Sequence, residues 1–393
     1  MAVKLILTQI MKDESHVAKR MLDSIKPIVD GICVIDTGST DDSIEIVEKW
    51  GKDNNIETYV FERPFDNFEN SRNHSFEKAR EVFLNKGDNN TYYNFWLDFD
   101  EEMIIDKSKF KKNSLNKDLY MLNTHIGKMK YTRNEVCRLD KPFKFYGPIH
   151  EYIVCEDKNI TSGVLDGLQV NVNMDGASWK EDTSKKYLKH AHVLEEYISD
   201  SRKDPRWIFY TAQSYHDSAS SKDNKEENEE RLRRALKYYK ERVDRLDGYP
   251  EERYYSQYRI GAIMKILEMP WNLTMQECLK AYSIDPLRGE SIKTIIDYYL
   301  QMGEWHLAYV YTKFAKSNFH GKNPYPKRLL FVDESVYSWK FLESHSAASF
   351  YTNRKEEAKA TYLEIIKLTK SNPNLFTKKD LDKIKANEKF FLN

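Results

Sequence analysis

Three short runs dominate the first hundred residues: KLILTQI at 4–10, GICVIDT at 31–37 and IETYVFE at 56–62. Each is apolar and rich in β-branched residues with little polar alternation, which is the pattern of strands buried on both faces. The segments between them have a helical period. Residues 14–26 place Val17, Met21, Leu22 and Ile25 on one face and stop at Pro27. A second segment follows DTGSTDD (36–42), where Thr40, Asp41 and Asp42 are capping residues and Asp42 with Glu45 has capping-box spacing; it carries Ile44, Val47 and Trp50. A third, from Glu69 to Asn85, leads through a polar turn into YYNFWLDFD (92–100), read as a buried strand ending in acids. Strand, helix, strand in this order predicts an α/β domain, Rossmann-like, with a mostly parallel sheet covered on both faces.

From about 118 to 174 the period becomes that of alternating strands joined by Gly, Asn and Pro turns, an antiparallel extension of the sheet. Beyond Trp179 the texture is helical and rich in Tyr, Glu and Lys. The expected domains are therefore residues 1–178 and 179–393. WIFYTAQSY (207–215), CLKAYSIDP (278–286) and the alanines Ala308 and Ala358 carry the punctuation of degenerate tetratricopeptide-like helix pairs, an all-α repeat domain. An ordinary helical bundle is the plainer alternative. The tyrosines of RYYSQYR (253–259) suggest a stacking surface at first sight, but at helical spacing they read as packing between repeat helices.

Composition closes off several classes of function. Lys plus Arg and Asp plus Glu both number 62, so no net charge marks a nucleic-acid or anionic-membrane partner, and only a local basic groove is left open. Cys33, Cys137, Cys155 and Cys278 have no zinc or disulfide-framework spacing, and no apolar run is long enough to span a bilayer. A reducing, cytoplasmic location is the expectation. His190 and His192, two apart on a helix, do not share a face and make no metal pair.

The chemistry gathers at strand ends. In open α/β sheets ligands bind outside the carboxyl ends of the strands. Polar clusters follow three of the expected strands: KDE (12–14), DTGSTDD (36–42) and LDFDEE (97–102). Asp13, Asp36, Asp98 and Asp100 should therefore converge on one crevice. Strand alternation places Asp98 and Asp100 on one side with Phe99 turned into the core. Two such carboxylates suit a hard divalent cation, Mn²⁺ or Mg²⁺, that keeps positions open for phosphate oxygens and water. The bland reading is a pair of acids that caps the next helix.

These residues, in this order, resemble the family 2 nucleotide-sugar glycosyltransferases of GT-A fold over roughly residues 3 to 155. The motifs are the acids after the first strand (Asp13, Glu14), the DTGSTD turn (36–41), the Arg72-Asn73 pair in ENSRNHSF and the Asp98-to-Asp100 motif; MKDE departs from the family's usual Asn-Glu. The resemblance implies that Asp36 meets the nucleobase, Asp98 the ribose or sugar, Asp100 a metal bridging the diphosphate, and Arg72 the donor sugar or diphosphate. FYGPIHEYI (145–153) resembles a late motif of many such enzymes; it implies Glu151 as the base that takes the acceptor's proton in an inverting transfer and His150 as a further metal ligand. Glu101 and Glu102 are rival bases. The donor implied is a UDP-sugar and the acceptor a peptide, protein or glycan. The organisation is similar to that of family 2 enzymes with tetratricopeptide-like tails, among them bacterial peptide glycosyltransferases, and the helical domain would bind the acceptor or form a homodimer. The rivals are a non-catalytic scaffold with a degenerate nucleotide-sugar domain, and a nucleotidyltransferase, for which TQIMKDES lacks the basic Gly-rich loop.

Overall fold

The computed structural model describes residues 2–126, 129–177, 182–199, 204–219, 224–322 and 330–392. The chain forms two compact units, Met1–Lys186 and Tyr187–Asn393. The boundary expected between 178 and 179 lies outside the described residues.

The first unit holds β1 (Val3–Met11), α1 (Ser15–Ile25), β2 (Gly31–Asp36), α2 (Ser43–Asn54), β3 (Glu57–Glu62), α3 (Phe68–Phe83), β4 (Thr91–Phe95), β5 (Glu101–Ile105), β6 (Leu119–Ile126), β7 (Met129–Arg138), β8 (Phe143–Tyr146), β9 (Tyr152–Cys155) and β10 (Ser162–Val172). The main sheet has the order β3-β2-β1-β4-β7-β6-β10-β5. Its first four strands are all parallel, with Met11 opposite Asp36 and Leu7 opposite Phe95. Side-chain alternation then builds two cores. Leu5, Leu7, Ile32, Val34, Tyr93 and Phe95 face Val17, Met21, Leu22 and Ile25 of α1 and Val47 and Trp50 of α2. Ile6, Cys33 and Tyr92, one residue out of phase, face Ala79 and Phe83 of α3.

The structure corrects the sequence reading in three places. The strand read as 92–100 stops at Phe95; Asp98 to Glu101 form a turn closed by Glu101 N–H donating to the Asp98 carbonyl (2.9 Å), and Glu101 opens β5 at the far edge of the sheet. Asp98 and Asp100 are thus placed by a turn, not by strand alternation, although Phe99 is buried in the core as expected. The extension is mixed: β7 pairs antiparallel with β4 and β6 and β5 with β10, but β10 runs parallel to β6, and β8 with β9 forms a separate hairpin. The Asp42–Glu45 capping box does not form; the loop before α2 is held instead by Asp41, whose carboxylate accepts from Ser43 N–H (3.0 Å).

The second unit is helical: α4 (Thr183–Ser199), α5 (Pro205–Ser218), α6 (Lys225–Asp244), α7 (Pro250–Ile266), α8 (Trp271–Ile284), α9 (Glu290–Gln301), α10 (Trp305–Asn318), α11 (Phe341–Tyr351), α12 (Lys355–Ser371) and α13 (Lys378–Phe391). From α5 to α12 each helix packs on the next, and α5, α7, α9 and α11 also touch in series, the contact order of stacked helix hairpins. The turns before α10 and α12 match. Gly303 (φ 72°) and Asn353 (φ 61°) take the same left-handed position, and the alanine five residues on, Ala308 or Ala358, is buried. Among the described residues no helix is long and apolar enough to cross a membrane.

Candidate active site

The carboxyl ends of β1 and β2 are laced together by their loops. The Asp36 carboxylate, at the end of β2, accepts from Gly38 N–H and Ser39 N–H (both 2.9 Å) and from the Ser39 hydroxyl (2.5 Å). Gly38 (φ 105°) supplies the left-handed backbone that lets the chain curl over this carboxylate. The same hydroxyl accepts from Asp13 N–H (3.0 Å), and the Asp13 carboxylate accepts in return from Thr40 N–H (2.7 Å). Glu14 N–H donates to the Ser43 hydroxyl (2.7 Å) and Ser15 N–H to Asp41 (3.1 Å). The Asp41 carboxyl lies at about 2: burial opposes its charge, but the hydrogen bonds from Ser43 and Ser15 prevail.

Arg72 of α3 ties the remaining residues together. Its Nη2 donates to Asp98 (2.8 Å), its Nε to Glu151 (2.6 Å) and its Nη1 to the side-chain carbonyl of Gln9 (3.2 Å). Gln9 in turn donates to Asp98 (3.0 Å). Asn73, the next residue, grips β8 by accepting from Phe145 N–H (2.7 Å) and donating to its carbonyl (2.9 Å), and the guanidinium lies 5.5 Å from the Phe145 ring centroid. Burial works against both charges of the Arg72–Asp98 pair, yet their mutual attraction wins. The guanidinium pKa is raised, and Asp98 is held at about 2 although 45% of its side chain is exposed.

Asp100 is buried beneath the segment that follows β10. A Cβ on Gly176 would stand 3.1 Å from Asp100 Cβ and 3.4 Å from a Glu14 carboxylate oxygen, so this glycine permits a close approach over both acids. Burial first, then the charges of Asp100 and Asp98, push the Glu14 carboxyl up to about 7 against the stabilising hydrogen bond from Ala177 N–H. Negative charge is therefore concentrated here. Among the described residues no three His, Cys, Asp or Glu side chains are gathered into a ready metal cage. The donor set around Asp100 fits a different kind of site, in which one or two carboxylates hold Mg²⁺ or Mn²⁺ and phosphate oxygens and water complete the shell.

The other acids of DFDEE have partners of their own. Arg133 of β7 donates to both oxygens of Glu101 (2.8 Å each) and pairs with Glu135. Both glutamates are buried, and with two carboxylates facing one guanidinium, burial pushes Glu101 up to about 7 and Glu135 to about 8. Glu102 accepts from Asn173 (2.8 Å) and faces Arg20 (3.7 Å). His150 sits in the turn between β8 and β9 with left-handed backbone (φ 54°), next to Glu151.

The structure thus brings Asp13 and Asp36 into one hydrogen-bonded loop pair and Asp98, Arg72 and Glu151 into another network, with Glu14 feeling both Asp98 and Asp100. Sequence reading missed Gln9, Arg133 and Glu135. Gln9 alone carried a signal, a polar side chain inside an apolar run.

No protein-family model matches the chain. It is 22% identical over 240 residues, 59% of its length and 53% of the relative's, to the SPbeta prophage-derived glycosyltransferase SunS of Bacillus subtilis (strain 168), and equally to glycosyltransferase SunS of Bacillus phage SPbeta. These relatives are glycosyltransferases. The chain spans about half the length of the curated relatives it matches. Among solved structures it is similar to S. aureus TarS (TM-score 0.35, 11% identity, 66% of this chain and 52% of that one) and to TarS 1-349 in complex with UDP (TM-score 0.32, 13% identity, 65% and 86%).

Proposed function

We propose that the chain is a metal-dependent, inverting glycosyltransferase that takes its sugar from a nucleotide-activated donor, a UDP-sugar, and delivers it to a peptide, protein or glycan. The observation that carries this reading is the meeting of acids from separate strand ends around Arg72 and beside Asp100. Similarity to SunS supports the reaction class.

In this reading the loop of Asp13, Asp36 and Thr40 holds the nucleotide. Three of the roughly four acceptor positions of the Asp36 carboxylate are used by its own loop, leaving one for an imide N–H of the base. Asp98, ionised and half-exposed, accepts from ribose or sugar hydroxyls. Asp100, with His150 as a further ligand, holds Mn²⁺ or Mg²⁺, which when bound supplies Lewis-acid stabilisation of the departing nucleoside diphosphate. Glu151, oriented by Arg72 through one oxygen, takes the proton from the acceptor's nucleophilic atom. That atom bonds to the anomeric carbon from the face opposite the diphosphate, whose bond to carbon breaks.

The test is a thermal-shift and UDP-release screen with UDP-glucose, UDP-galactose and UDP-N-acetylglucosamine, with and without Mn²⁺, against Asp100→Ala. At least one donor is expected to raise the melting temperature of the wild type in a Mn²⁺-dependent way that Asp100→Ala abolishes. Absence of both a shift and UDP release with every donor and metal overturns the reading.

A further inference from the structure

The helical unit contains a half-buried guanidinium, that of Arg259, with no direct carboxylate contact among the described residues. The fully buried arginines of this unit are matched by glutamate: Arg242 donates to Glu252 (3.3 Å) and Arg288 to Glu290 (2.8 Å). Arg259 of α7 has no carboxylate within ion-pair distance among the described residues, and its buried Nε makes no hydrogen bond. Its Nη2 meets the imidazole of His216 on α5, whose Nδ1 lies 3.0 Å from Asp217. Burial lowers the His216 pKa despite Asp217, which disfavours a second positive charge beside Arg259. Asp217 attracts the guanidinium without touching it, so the unused Nε–H is left for a ligand's acceptor.

The surroundings say which anion fits. The Arg259 guanidinium lies 5.9 Å from the ring centroid of Tyr255, one turn before it on α7, and 5.7 Å from that of the adjacent Tyr258. Phe331, 39% exposed, packs on Tyr255 (5.1 Å) and stacks on Phe209 of α5 (6.3 Å). On α5, one turn before His216 and Asp217, the Gln213 side-chain carbonyl is buried without a hydrogen-bond donor. One fork-shaped cation, aromatic walls and a spare amide acceptor match a singly charged carboxylate on a chain that also offers apolar side chains and backbone N–H groups. A phosphate, with its greater charge, calls for more cations than this face presents.

We propose that this face of α5 and α7 binds an acidic peptide, with a carboxylate on Arg259, a neighbouring apolar side chain against Tyr255, Tyr258 and Phe331, and a backbone N–H on Gln213. RYYSQYR is then part of a binding face and not only helix packing. The inference goes beyond the donor-site reading and depends on it only in casting the peptide as the acceptor; binding itself requires neither donor nor metal.

The experiment uses the full chain and a fluorescein-labelled, amide-capped peptide Gly-Ala-Phe-Glu-Phe-Ala-Gly, with its Glu→Gln counterpart, followed by anisotropy at low ionic strength. The Glu peptide is expected to bind about 10-fold more tightly than the Gln peptide, and Arg259→Gln to erase the difference. Arg259→Gln is also expected to melt no lower than the wild type, whereas Arg288→Gln melts lower because it strands Glu290. Equal binding of the two peptides, no binding of either, a preference that survives Arg259→Gln, or a fall in melting temperature matching that of Arg288→Gln overturns the proposal. Displacement of the Glu peptide by an equal concentration of inorganic phosphate overturns it in favour of a phosphate site. UDP release measured on the same preparations separates the two readings: peptide discrimination without UDP release sinks the donor site alone, and the converse sinks this one alone.

Discussion

Two arginines flank the DFDEE turn, each between two carboxylates, and they differ in what those carboxylates can reach. Around Arg72 the acids are Asp98, with 45% of its side chain exposed, and Glu151, with 14%. Around Arg133 they are Glu101 and Glu135, with 2% and 0%. Paired charges that stay partly exposed remain within reach of a ligand, whereas sealed ones are committed to holding the turn in place. The lesson is that an acidic motif has to be divided by burial before roles are assigned. Of the four acids in 98–102, Glu101 anchors the turn through Arg133 and through Asp98 N–H (3.0 Å), and Glu102 joins β5 to the segment after β10.

The comparison breaks most visibly if activity does not follow the exposed cluster. Under the proposed donor chemistry, Arg72→Met is expected to lower UDP-sugar turnover by about 10²–10³-fold, the scale of losing one preorganised charge at a reacting centre. It should also destabilise the chain by about 3 kcal/mol in urea titration, because Glu151 is left without its partner. Arg133→Met should separate the two effects: a stability loss of similar size, about 3 kcal/mol at alkaline pH, with turnover of the folded protein reduced only a few-fold. Equal losses of turnover in the two variants would erase the distinction.

Acid and alkali sharpen it further. The carboxyls of Glu101 and Glu135 are raised from 4.5 to about 7 and about 8, so their contribution to stability is complete below about 4.5 and is lost as pH rises through 7 to 8. Asp98 is lowered from 3.8 to about 2, so its contribution is present above 3.8 and is lost as pH falls toward 2. Urea midpoints should therefore decline on both sides, with Glu135→Gln flattening the alkaline limb and Asp98→Asn the acid one. The smallest effect is expected at Gln9, where Gln9→Leu removes hydrogen bonds to Arg72 and Asp98 and should lower stability by about 1 kcal/mol and turnover several-fold.

Much of this arrangement is legible in the chain. The β-branched runs set strands β1 to β3, and helical spacing in 15–25 and 43–54 set α1 and α2, because a period of two or 3.6 is a property of consecutive residues. Asp13 and Asp36 meet because successive parallel strands end on the same side. The DFD segment misled for a local reason: an apolar run ending in acids reads the same whether the strand continues or turns after Phe95. Arg133 was opaque because it belongs to a strand whose neighbours, β4 on one side and β6 on the other, are chosen by sheet order.

Sequence alone determined the alternation of elements, the acidic strand tips and the Arg72-Asn73 pair, since each is written in local periodicity or in adjacent residue types. Only the tertiary structure decided which cation each acid met, that Glu101 is sealed while Asp98 is open, and that Arg259 lies against tyrosines and a histidine, with Asp217 beyond the imidazole. Burial and ion pairing depend on residues far apart in the chain, and their energies exist only once the chain has brought those residues together.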